Sequence, residues 1–294
     1  MRYEGMVYRP PSEANSYILQ TTVGCPHNRC QFCIMYRDKQ FKVRKLADIL
    51  EDIDMAVQHY GPYGVRSVFL ADGNSVIMRP AQLMEILQHL YKSFPQMERV
   101  TSYGATQYLA KKSVEDLKAL KEAGLTRIHC GMETGDDALL KYVCKGATAD
   151  IQIAGGQNIK AAGIEVSFYV MPGLGGLERS EAHALGSARV LSAVKPGFIR
   201  LRTFVPQIGT PMADACLRGE YTLLSPHQTL REIRLMIENI DADGSQVLSD
   251  HWTNFAPVRG TLPQDKPAML AILDDALTVP EAYFREVGVY EGTL

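Results

Sequence analysis

The chain has a single tryptophan and no apolar run long enough to cross a bilayer as a helix. Excess charge of either sign is also missing: 31 basic against 33 acidic residues leave a formal charge of −2. The lysines and arginines are scattered, so there is no basic stripe for nucleic acid and no polybasic patch for a membrane surface. The opening MRYEGMVYRPP lacks the pattern of a secretory signal. No internal repeat and no low-complexity tract appears. These absences lead to the expectation of a cytoplasmic, reducing setting. Clustered cysteines there more often mean metal or redox chemistry than disulfides.

What is present is concentrated. Three of the six cysteines, Cys25, Cys30 and Cys33, fall within Thr21–Arg44, TTVGCPHNRCQFCIMYRDKQFKVR. The spacing is Cys-x4-Cys-x2-Cys, tight enough to wrap one metal centre. A closed structural zinc site needs four ligands. His27 is a poor fourth, because it lies only two residues from Cys25. An iron–sulfur cluster also normally takes four cysteines. Three ligands leave one position open, which catalytic metal sites keep and structural ones close. Cys130 falls in a strand, Cys144 on a helix, and Cys216 is isolated, so these three read as small buried hydrophobes.

The rest of the chain alternates strand with helix. Strands are expected at Ser16–Val23, Arg66–Ala71, Arg99–Ala105, Thr126–Met132, Glu165–Met171 and Phe198–Val205. Helical spacing follows each: Leu46, Ile49, Leu50, Ile53 and Val57 set the first, and Pro80 opens the second. Ser113 with Asp116, and Ser225-Pro226, mark later helix starts. Helical sequence continues to Ala162, with Gly155-Gly156 as weak helix formers in its middle. His183 sits within helical sequence and reads as a packing or surface residue. From about Ser245 a tail holds a short strand, SDHWTNF, PVRG and a helix around Ala268–Leu277. Six strand–helix units without a hairpin signal imply a parallel sheet, as an open or partial barrel or a doubly wound sheet. Right-handed crossovers then put every strand C-terminus on one edge. The polar loops gather at that edge: the cysteine loop, Asp72-Gly73-Asn74, Glu133-Thr134-Gly135, Pro172–Gly176 and Pro206–Pro211.

On these residues the chain resembles the radical S-adenosylmethionine (radical SAM) superfamily, in its elongator, MiaB and NifB-like core branch. The usual triplet there is Cys-x3-Cys-x2-Cys; here the first gap holds one residue more, while Cys30-Gln31-Phe32-Cys33 keeps the aromatic before the last cysteine. The resemblance continues through Ala71-Asp72-Gly73-Asn74, Gly131-Met132-Glu133-Thr134-Gly135 with Lys145-Gly146, Met171-Pro172-Gly173-Leu174-Gly175-Gly176, and Arg202-Thr203 to Gly209-Thr210-Pro211. Any one of these alone would be a turn or a flexible loop.

The resemblance implies an α/β fold: a partial (β/α)6 TIM-like barrel of parallel strands with a short C-terminal extension. Residues 1–15 would be an irregular leader, 16–240 the core, and 241–294 an extension closing the barrel. It implies that Cys25, Cys30 and Cys33 hold a [4Fe–4S] cluster whose fourth iron takes the amine and carboxylate of S-adenosylmethionine. An external one-electron reductant such as flavodoxin or ferredoxin would reduce the cluster, which cleaves the cofactor to a 5′-deoxyadenosyl radical. Phe32 would cover the cluster and the adenine, or else anchor its loop. Asp72, Gly73 and Asn74 would hold the methionine amine, and Glu133 would contact the cofactor. Arg200 and Arg202 lie two apart on one strand face; Arg202 is the expected cofactor- or substrate-facing cation, against a structural ion pair. Ser167 and Tyr169 read as barrel filling. His251 and Asn254 would line a substrate pocket, or else belong to a capping strand. A small-molecule substrate is expected, with nucleic acid disfavoured by the charge and by the lack of a second cysteine cluster. The competing expectations are an iron–sulfur or zinc electron-transfer or binding protein without cofactor cleavage, and a tRNA- or protein-modifying enzyme.

Overall fold

The computed structural model describes residues 1–291, which divide into two compact units. The first unit holds residues 1–28, 35–130 and 155–166. The second holds residues 29–34, 131–154 and the chain from Ser167 on.

The first unit is a parallel sheet backed by helices. Its strands are β1 (Tyr17–Gln20), β4 (Ser67–Ala71), β5 (Arg99–Gly104) and most of β6 (Leu125–Glu133), in that order. The register runs Tyr17↔Val68, Val68↔Val100 and Val100↔Leu125. The crossovers are α1 (Leu46–Tyr60), α2 (Pro80–Ser93), then α3 (Thr106–Leu109) with α4 (Val114–Glu122). The predicted periodicity is what buries: Ile49, Ile53, Leu83, Ile86, Leu87 and Leu90 are inaccessible, as are Val68, Phe69 and Leu70 of β4. Ser113 caps α4 by accepting from the Asp116 N–H at 3.0 Å.

The first expected strand stops early. Past Thr21, whose N–H still reaches the Ala71 carbonyl at 2.8 Å, the chain turns into β2 (Thr22–Val23). This pairs antiparallel with β3 (Lys42–Val43), so a two-stranded ribbon closes the base of the cysteine loop. The sequence had shown no hairpin signal there, because two-residue strands carry no period.

The second unit continues with α5 (Asp137–Tyr142), most of α6 (Ala149–Ala161), β7 (Glu165–Val170), α7 (Gly176–Val194), β8 (Phe198–Leu201), α8 (Pro211–Leu217) and α9 (Pro226–Asn239). The tail adds β9 (Gln246–Leu248), β10 (Arg259–Thr261) and α10 (Lys266–Thr278). β7, β8 and β9 pair in parallel, and β10 returns antiparallel on β9. Ser225 and Gln228 form a full capping box at the start of α9.

One expectation is sharpened and one is corrected. α6 runs unbroken through Gly155-Gly156, because a Cβ on Gly155 would lie 2.7 Å from the Thr106 carbonyl oxygen; close packing demands the glycine. Cys144 is not helical. It follows α5 in the left-handed region, φ 53°, as part of the helix terminus. Among the described residues no helix is long and apolar enough to cross a membrane.

Candidate functional site

In the first unit the residues after β4 meet the start of the cysteine loop. The Gly73 N–H donates to the Gly24 carbonyl at 3.1 Å. A Cβ on Gly73 would lie 2.9 Å from Cys25 Cβ, 3.1 Å from its Cα and 3.2 Å from the Gly24 oxygen. Two backbone segments approach here at a distance only glycine permits.

Asp72 is wholly buried, and its two oxygens differ. Oδ2 accepts from the Gly24 N–H at 3.0 Å, from Gln20 Nε2 at 3.0 Å and from Lys39 Nζ at 3.1 Å. Oδ1 has no partner. Lys39 is only 6% exposed, so this is a buried ion pair stapling β1, the cysteine loop and the β4 end together. Asn74 is also inaccessible, and neither its amide oxygen nor its amide nitrogen has a hydrogen-bond partner among the described residues. An unpaired buried amide costs about 1–3 kcal/mol unless something else meets it. Further unpaired oxygens, Thr106 Oγ1 and Gln107 Oε1, follow the neighbouring strand β5. Tyr108 belongs to the same turn; burial raises its phenol pKa first, and the Cys25 thiol adds to that.

In the second unit Phe32 packs into an apolar cluster with Leu139, Val143, Leu174, Phe204 and Met212, against which Cys30 and Cys33 also rest. At 9% exposure the ring anchors its loop. The Gln31 peptide is clamped on both sides, donating to the Val143 carbonyl at 3.0 Å and accepting from the Met212 N–H at 3.3 Å. Glu133 has φ 66°, which turns its carboxylate back over Gly131; a Cβ there would lie 2.1 Å from Glu133 Oε1. That oxygen meets Lys145 Nζ at 3.0 Å, and the ammonium sits 5.7 Å from the Phe32 ring centre. Burial opposes the Lys145 charge, but the Glu133 carboxylate and the thiols of Cys30 and Cys33 outweigh it and hold its pKa above the usual lysine range.

A buried polar chain lies under the glycine-rich loop after β7. Glu232 on α9 accepts from the Gly173 N–H at 2.6 Å and from Ser180 Oγ at 2.6 Å. Its Oε1 is 3.5 Å from His183 Nε2, and His183 Nδ1 is 2.7 Å from Thr134 Oγ1. Burial pushes the Glu232 carboxyl up to about 7 and the His183 imidazole down to about 4.

At the end of β8, Arg200 bonds Ser167 Oγ at 3.3 Å and stacks on Phe198, whereas the Arg202 guanidinium has no hydrogen-bond or ion-pair partner among the described residues. Asn254 is tied to the β8 end: its Oδ1 accepts from the Thr203 N–H at 2.8 Å, and its Nδ2 donates to the Leu201 carbonyl at 2.8 Å. His251 bonds Thr253 Oγ1 at 2.9 Å. Burial, and then the neighbouring Arg202, push its pKa down to about 4.

The structure therefore gathers Cys25, Asp72, Gly73 and Asn74 in the first unit. In the second it gathers Cys30, Phe32 and Cys33 with Glu133, and separately Arg202, His251 and Asn254. Among the described residues no group of three or more His, Cys, Asp or Glu side chains is gathered so as to hold a metal ion. Lys39, Tyr108, Lys145 and Glu232 were missed as site residues. Only Lys145 had a sequence signal, the Lys145-Gly146 pair that follows Gly131–Gly135.

Comparison with known proteins gives these features a family. The model of the radical SAM superfamily matches residues 19–186, more than half of the chain. The chain is 29% identical over 174 residues to the hopanoid C-2 methylase of Rhodopseudomonas palustris, covering 55% of this chain and 31% of that one. It is 26% identical over 161 residues to the biotin synthase of Clostridium botulinum, covering 55% and 49%. The chain thus spans 31% and 49% of the length of these two curated relatives, half or less of each. A solved methylornithine synthase superposes with a TM-score of 0.54 at 16% identity, over 94% of this chain and 70% of that one, which shows the shared fold. The chain belongs to the radical SAM superfamily, whose cofactors are a [4Fe–4S] cluster and S-adenosylmethionine.

Proposed function

We propose that the chain is a radical SAM enzyme in which Cys25, Cys30 and Cys33 hold the [4Fe–4S] cluster. Asp72, Gly73, Asn74 and Glu133 bind S-adenosylmethionine. The observation that carries this reading is Asn74. It offers a buried donor and a buried acceptor with no partner among the described residues, beside a glycine packed on Cys25. These atoms, with Asp72 Oδ1, fit a ligand that brings an amine and a carboxylate. When bound, the cluster supplies the electron that cleaves the sulfonium to methionine and a 5′-deoxyadenosyl radical.

The chain's own residues bind, orient and keep water away. Lys39 neutralises Asp72 from one side and leaves the other oxygen for the cofactor's amine. Lys145 holds the Glu133 carboxylate in a fixed place beside Cys30 and Cys33. Phe32 and its apolar neighbours exclude water next to those cysteines. Arg202, without a side-chain partner among the described residues, takes a carboxylate of cofactor or substrate. Residues 16–240 act as the core and 241–294 as its extension. The near-zero net charge supports a small-molecule substrate in a cytoplasmic setting, with a flavodoxin or ferredoxin as reductant.

The test is anaerobic reconstitution, reduction and measurement of 5′-deoxyadenosine. Formation of the product, lost in Cys30→Ala, is the expected result. A fully clustered, reduced protein that forms none is instead an electron-transfer or binding protein.

A further inference from the structure

The end of β8 carries a built but unfilled set of donors. β8 pairs with β9 so that Arg200 lies opposite Leu248. Beyond this last pair the β8 chain continues to Arg202 and the β9 chain to the Asp250–Asn254 turn. Asn254 grips Leu201 and Thr203, the residues flanking Arg202. The turn is fixed from behind as well. Arg285 donates from Nη2 to the Thr253 carbonyl at 2.5 Å, and Tyr290 lies 5.7 Å from the Trp252 ring and is bonded to Pro206 and Ile208 through its main chain.

Within this frame two donors face no acceptor. Of the three arginines at this end, Arg200 and Arg285 are occupied; Arg202 has no hydrogen-bond or ion-pair partner among the described residues. The Thr253 N–H donates to His251 Nδ1 at 3.3 Å, so the neutral imidazole carries its proton on Nε2. That N–H also has no protein acceptor among the described residues. Asp250, the nearest acid in sequence, is exposed and makes no ion pair with Arg202. Beside His251, at 5.9 Å between ring centres, stands Trp252, 52% exposed. Tyr290 at 5.7 Å and the Arg285 guanidinium at 6.0 Å flank the indole, and its exposed half is a surface on which a planar ring can stack.

We propose that Arg202, His251 and Trp252 form a substrate subsite for an aromatic carboxylate, with the carboxylate on Arg202 and the His251 Nε2–H and the ring on Trp252. A carboxylate answers both donors at once, and a planar ring answers the indole. The word substrate rests on the enzyme reading above; the binding site does not.

The chain's only tryptophan reports the site directly. The full-length protein is titrated with 3-phenylpropanoate and with its neutral amide while Trp252 fluorescence is followed. Saturable quenching by the acid, at least about tenfold tighter than by the amide, is expected. Arg202→Gln should abolish the preference with the far-ultraviolet circular dichroism unchanged, and Arg200→Gln should keep it. No quenching, equal quenching by acid and amide, or an undiminished preference in Arg202→Gln would overturn the subsite. If the acid binds as expected but the reconstituted protein forms no 5′-deoxyadenosine, the subsite stands and the enzyme reading falls.

Discussion

Replacing Glu232 by glutamine should change how stability depends on pH, by an amount the structure sets. The carboxyl is buried, takes two hydrogen bonds of 2.6 Å and lies 3.5 Å from His183 Nε2. Its pKa rises from the ordinary 4.5 to about 7, first through burial, which the Ser180 and Gly173 donors only partly offset. A raised carboxyl binds its proton more tightly in the folded chain than in the unfolded one. The resulting stabilisation is complete below about pH 4.5 and is lost as pH rises through about 7, a change of roughly 3 kcal/mol. His183 works in the opposite direction. Its pKa falls from 6.5 to about 4, so its burial penalises the fold as pH drops below 6.5. Other titratable groups near the pair are Tyr221, Asp136 and, through Asp136, Arg179. All of these stay in place in Glu232→Gln, so the difference between the two proteins isolates the carboxyl. Urea denaturation at pH 5 and pH 8 should show the variant gaining roughly 3 kcal/mol relative to wild type across that interval. A difference that does not move with pH would refute the reasoning, and so would one that moves the other way.

Asn74→Ala should leave the urea midpoint of the ligand-free chain nearly unchanged, because its amide has no partner to lose, while weakening S-adenosylmethionine binding about tenfold by calorimetry. A loss of more than about 2 kcal/mol in the ligand-free chain would show that the amide serves the fold instead. Gly73→Ala puts a methyl 2.9 Å from Cys25 Cβ and should cost about 1–3 kcal/mol and lower the iron bound after reconstitution; unchanged iron content would refute the close-approach argument. Lys145→Met leaves the mostly buried Glu133 carboxylate alone and should cost about 3 kcal/mol, with Glu133→Gln recovering part of it in the double variant. Additive losses would show that the pair is not coupled.

Particular residues show how far the sequence could be read. The Leu83, Ile86, Leu87, Leu90 spacing buries because a helix has one periodic face, and that holds whatever it packs against. Ser113 and Ser225 cap their helices because a cap needs only a neighbour three residues away. Glu232 lies on α9 between Leu230 and Ile233, and nothing in the local sequence marks it as buried. Its burial depends on the Gly173 loop arriving from 59 residues away. The Lys39–Asp72 pair spans 33 residues and left no local trace.

The sequence by itself determined the alternation of strands and helices, the cysteine triplet and the glycine motifs, since each rests on interactions within a few residues. Tertiary structure alone decided which of these residues are already engaged. It tied Asn254 to the β8 end and one oxygen of Asp72 to Lys39, and it left the Asn74 and Arg202 side chains without hydrogen-bond partners among the described residues. Whether a polar side chain is free depends on groups distant in the chain, and only packing brings those groups within hydrogen-bonding reach.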